Sequence, residues 1–132
     1  MTTTDSGFEK YKGGPTGDRN ARMYASIARS GRIMINDRLY QMLGKPAAVC
    51  LLYNRELNHI ALQPANSADP DAFPFRANNG SQYLAAVTFC THYNIRVAAT
   101  QRFLSPRLAP DGNLILNLSA TASVARRTRQ DD

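Results

Sequence analysis

At 132 residues, 43% of them apolar, the chain has material for one compact domain with a core, and no apolar run approaches the roughly 20 residues of a membrane-spanning helix. Sixteen basic residues against ten acidic ones give a net charge of +6, and thirteen of the sixteen are Arg, the side chain suited to planar, bidentate partners such as phosphate. Cys50, Cys90, His59 and His92 are scattered singly, which argues against a clustered metal site and reads as reduced thiols and structural histidines, His59 at a strand start and His92 facing the core near the end of a helix.

Residues 1–20 are polar and glycine-rich and read as a flexible basic arm carrying Lys10, Lys12 and Arg19. The start lacks the charged-then-apolar pattern of a signal peptide, so a cytoplasmic protein is expected. Gly13-Gly14-Pro15-Thr16-Gly17 is followed by Asp18 and Arg19, without the Lys and Ser/Thr that a phosphate-binding loop requires.

The domain is expected over residues 21–119. A strand over residues 23–28 turns at Arg29-Ser30-Gly31, with Gly31 supplying the positive φ of a tight hairpin. The return strand over residues 32–36 puts Ile33 and Ile35 on one face and Arg32 and Met34 on the other. Asn36 or Asp37 caps a short helix whose Leu39, Met42 and Leu43 share one side, and Gly44 before Lys45-Pro46 stops it. Strands over residues 47–53 and 59–62, joined by the polar turn 54–58, complete a hairpin-helix-hairpin unit over residues 21–65. Residues 47–53 are apolar on both faces, so both faces call for cover, and on the assembly reading a partner chain covers one of them.

The order recurs over residues 73–119. A strand over 73–76, the turn Asn78-Asn79-Gly80, a strand over 82–87, and a helix over 88–93 with Asn94 in the stop position come first. A strand over 101–108, the turn Pro110-Asp111-Gly112 and a strand over 113–118 with Leu114, Leu116 and Leu118 inward follow. Sliding the sequence by 49 residues lays Gly31 on Gly80, Met34 on Tyr83 and Leu39 on Thr88, a degenerate duplication. Tyr53, Tyr83 and Phe89 fall at expected core positions, whereas Tyr11 and Tyr24 are freer. Residues 120–132, with Arg126, Arg127 and Arg129 ahead of two terminal aspartates, read as a solvated tail.

Gly31-Arg32-Ile33-Met34-Ile35, the helix ending Leu43-Gly44, the strand from Val49 to Tyr53, and Ile60-Ala61-Leu62-Gln63-Pro64 together resemble the AbrB-like family of swapped-hairpin regulators and antitoxins. The resemblance covers about a third of the chain, and only Arg32 maps directly onto the family's basic positions. Asn36 stands where that family usually has proline, and Tyr40 and Gln41 where paired arginines are common. It implies a mainly β fold with two short helices (α+β), in which two hairpin-helix-hairpin repeats form a small barrel similar in layout to MraZ-like proteins. A single chain then builds what single-repeat relatives make as a homodimer; without a true duplication, the first repeat must dimerise.

Between residues 10 and 38 seven basic side chains meet two acidic ones, leaving +5 of the +6 in one stretch. Arg29, Ser30 and Arg32 at the hairpin, with Arg22 and Arg38 nearby and Lys10, Lys12 and Arg19 on the arm, form the expected contact set for duplex DNA. The expected function is therefore a non-enzymatic DNA-binding protein, a transcriptional regulator or antitoxin-like protein without cofactor. The alternatives are an assembly module with a protein partner, in which Arg32 pairs with Asp37 or Glu56 and the remaining arginines are solvated, and a single-strand binder using Tyr11 and Tyr24. No nucleophile elbow, metal-ligand spacing or glycine-rich phosphate cradle argues for catalysis.

Overall fold

The computed structural model describes Lys10 and residues 22–124. The fold is mainly β, with two short helices and two antiparallel sheets. Strand β1 (Ala25–Ile27) pairs with β2 (Arg32–Asn36), Ile27 opposite Ile33. Between them Gly31 N–H donates to the Ala28 carbonyl and Ala28 N–H to the Arg32 carbonyl, both at 2.8 Å. Gly31 sits at φ +88°, so the expected glycine-closed turn forms where its one unhindered residue allows it.

Helix α1 (Asp37–Met42) follows β2 without a linker because Asn36 ends the strand and caps the helix, its Oδ1 accepting from Leu39 N–H at 3.1 Å. Leu39 and Leu43 are buried as expected, but Met42 is 39% exposed: a helix this short turns only a narrow stripe inward. Strands β3 (Ala48–Asn54) and β4 (His59–Ala65) form the second hairpin, with Leu51 opposite Leu62 and Tyr53 opposite Ile60.

Two expected strands are broken by proline. Residues 73–76 divide into β5 (Phe73–Pro74), paired with β3, and β6 (Arg76–Asn78), paired with β7 (Ser81–Ala85). Pro74 has no N–H to continue a ladder, and the chain crosses to the other sheet at Phe75. Helix α2 (Val87–His92) comes next, and Asn94 adopts the left-handed stop at φ +56°. Residues 101–108 divide likewise around Pro106 into β8 (Gln101–Phe103) and β9 (Arg107–Leu108). Strand β10 (Leu114–Asn117) buries Leu114 and Leu116, and β11 (Thr121–Ser123) extends the paired structure beyond residue 119.

The six-stranded sheet runs β11-β8-β1-β2-β7-β6, and the five-stranded sheet β5-β3-β4-β10-β9. Among the described residues these sheets do not join into the expected closed barrel. Instead Ile27, Ile33, Ile35, Leu84 and Phe103 from one sheet and Val49, Ile60, Leu62, Leu114 and Leu116 from the other meet in one hydrophobic cluster, closed by Leu39 and Phe89 of the helices. Burying so many branched aliphatic side chains, each worth about 1.5–3 kcal/mol, is what holds the two layers together. Strands β2 and β7 pair antiparallel, Met34 opposite Tyr83, so the two hairpins lie side by side in one sheet.

Candidate nucleic-acid interface

The period-two alternation that turns Ile33, Ile35 and Leu84 inward leaves Arg32, Met34, Tyr83 and Ala85 on the opposite face of the six-stranded sheet. Cross-strand register extends this face. Ser26 lies opposite both Met34 and Arg102, Arg102 opposite Ala122, and Tyr83 opposite Arg76. A row Ala122, Arg102, Ser26, Met34, Tyr83, Arg76 therefore crosses all six strands, and Arg32 sits one step along β2 from it. Side chains directly opposite in an antiparallel pair share a face.

The expected partners of Arg32 were Asp37 or Glu56 on the solvated reading. Its guanidinium instead lies 4.8 Å from the centre of the Tyr83 ring. A guanidinium so placed is attracted by the ring's quadrupole and keeps its N–H groups available. Tyr83 is thus half-buried on the outer face, not in the core where it was expected, because its neighbours Gln82 and Leu84 take the inward phase. Tyr53 and Phe89 do pack with the core, edge to face at 6.4 Å.

The described carboxylates lie in loops and in the first turn of α1. The Asp37 carboxylate accepts from Gln41, Asp69 Oδ1 accepts from Asp71 N–H, and Asp111 Oδ1 from Asn113 N–H, while Glu56 is in the β3–β4 turn. None of the strand residues in the outer face is acidic. Arg32 and Arg76 line a cleft of about 280 Å³ together with Tyr83, Ala77 and Asn78.

Arg29 and Ser30 are exposed at the turn, but the turn does not project freely. Ala86 N–H donates to the Gly31 carbonyl at 3.1 Å, and the start of α2 covers Gly31, which is buried. Arg29 and Ser30 border a cleft of about 310 Å³ shared with Val87, Cys90 and Arg96. Arg22 and Arg38 are exposed at the far end of β2, separated from the turn by a five-residue strand, about 16 Å at a strand's rise per residue. Lys10 is exposed, and Lys12, Arg19 and Tyr11 lie outside the described residues.

Arg76, Arg102 and Tyr83 are the residues of this face that the sequence reading left out. The 49-residue offset laid Tyr83 on Met34, and Met34 was already assigned the Arg32 face; the alternation rule carried across that offset finds Tyr83. Arg102 gives no such signal, since it joins the face only through the pairing of β8 with β1.

Neither cysteine is poised as a nucleophile. Burial pushes the Cys90 thiol above its ordinary value; partial burial raises that of Cys50, aided by the Asp69 carboxylate to which it donates at 3.4 Å. His92 is exposed against the Tyr93 ring, not turned to the core as expected, and His59 is half-buried at the start of β4. No group of three or more His, Cys, Asp or Glu placed to hold a metal occurs among the described residues. No family model matches the chain, and neither the curated proteins nor the solved structures contain a match to it.

Proposed function

We propose that this chain is a non-enzymatic DNA-binding protein that holds duplex DNA against the arginine-bearing side of its six-stranded sheet. The regulator or antitoxin-like role implied by the AbrB-like resemblance is its biological setting. The observation that supports this reading is the distribution of charge: Arg29, Ser30 and Arg32 at one end of β2 and Arg22 and Arg38 at the other flank a sheet face that has no carboxylate among its described strand residues. Arginines so placed engage backbone phosphates, which position a duplex on the protein. The duplication reading fits as well, since β2 and β7 occupy positions 49 residues apart and each is followed by a six-residue helix.

Single strands are the second reading, and Tyr83 supports it as a half-exposed aromatic ring beside arginines. The two are separated by fluorescence anisotropy of a labelled random duplex and its matched single strand, titrated with the wild type and with Arg29→Ala/Arg32→Ala at several salt concentrations. Duplex binding is expected to be the tighter and to fall steeply with salt, and the double variant to lower the salt slope by about 2. Absence of binding to either form at low salt would leave the arginines as solvated charge and end the reading.

A further inference from the structure

We infer that the cleft between Arg32 and Arg76 seats a backbone phosphate of the bound nucleic acid, with Arg102 engaging the backbone at the other side of the same face. This rests on the nucleic-acid reading above and extends it to residues of the second half of the chain, on strands that enter the sheet only through long-range pairing.

The cleft has the chemistry of a phosphodiester seat. Two exposed guanidiniums line it, its other lining side chains are uncharged, and about 280 Å³ is ample for one phosphate with its waters. Arginine forks match a phosphate's paired oxygens, and two converging forks hold it more tightly than one. The Tyr83 ring, 4.8 Å from the Arg32 guanidinium, biases where that group sits, so part of the ordering that binding requires is already present. Tyr83 is then a positioning residue, acting on the phosphate through Arg32.

The spacing of the arginines fits a duplex. Arg76 on β6 and Arg102 on β8 share the transverse row but stand four strand positions apart, about 19 Å at the usual inter-strand distance. A major groove is about 12 Å wide, so a row of that length places a guanidinium over the backbone on each side of it. Between them Met34 is half-buried and Ser26 buried, and neither carries a charge.

The test uses the full chain and a labelled 20-base-pair random duplex, with anisotropy read at salt concentrations from low to physiological. Arg76→Ala and Arg102→Ala are each expected to weaken binding about five- to tenfold near 0.1 M salt and to reduce the salt slope by about 1. Arg107→Ala, an exposed arginine of the other sheet, is the control and leaves both unchanged. Tyr83→Ala weakens binding, and Tyr83→Phe, which keeps the ring under Arg32, restores it; thermal denaturation of each variant checks that the fold is intact. Wild-type binding with Arg76→Ala and Arg102→Ala indistinguishable from Arg107→Ala would overturn this inference while leaving the function standing. Absence of wild-type binding at low salt would overturn both.

Discussion

Asn36 ties together three pieces of backbone. Its Oδ1 accepts from Leu39 N–H at 3.1 Å and from Tyr24 N–H at 3.2 Å, and its Nδ2 donates to the Arg22 carbonyl at 2.6 Å, from a side chain that is 8% exposed. One residue thus caps α1 and fixes the chain entering β1, where proline would preset a helix start but offer no side-chain hydrogen bond. Asn36→Ala is expected to destabilise the protein by about 1–3 kcal/mol, since it removes the cap and leaves buried backbone groups without partners. Asn36→Asp keeps the cap acceptor but sets a carboxylate oxygen against the Arg22 carbonyl in place of the donor, and is expected to destabilise as well. Urea denaturation of the two variants measures both, and equal stability of Asn36→Ala and wild type would contradict this role.

Among the elements, the two hairpins of the six-stranded sheet differ in how their turns are enclosed. Asn79 and Gly80 both have positive φ, at +51° and +81°, as a two-residue turn between paired strands requires, and a Cβ on Gly80 would meet open space. Gly31 at φ +88° is more constrained, because a Cβ there would come within 3.1 Å of the Val87 Cα at the start of α2. Gly80→Ala therefore carries only the left-handed backbone penalty of about 1–2 kcal/mol. Gly31→Ala must also push α2 aside, and its midpoint in thermal denaturation is expected to fall clearly further. Equal losses would mean that α2 does not rest on the turn. The turns were legible in the sequence because glycine and asparagine mark positive φ locally, and β2, α1 and the β3–β4 hairpin were legible because their alternation and caps are local too. The crossings at Phe75 and near Pro106 were not, since a strand pattern does not say which sheet receives it. Met42 and His92 misled for a related reason: in helices of six residues the apolar face is set by what happens to pack there.

At the scale of the whole molecule, the chain joins two sheets over one core, and among the described strand residues the side of the six-stranded sheet away from that core carries Arg32, Arg76 and Arg102 and no carboxylate. Half of that face was readable, because Arg29, Ser30, Arg32 and their neighbours are close in sequence and the charge of residues 10–38 stands out. The other half depends on β7 pairing with β2 and β8 with β1, contacts between residues some 50 to 75 positions apart that composition cannot reveal. The expected barrel was an extrapolation from a third of the chain, and the proline breaks divide the remainder between two layers. The most direct test of the central claim is a titration of the isotopically labelled protein with a short DNA duplex, followed by backbone amide chemical shifts. Shifts are expected to concentrate at residues 29–36, 76–78, 81–85 and 101–103, with β3, β4 and β10 unaffected. Shifts gathered on β3 and β4, or none at low salt, would contradict that claim.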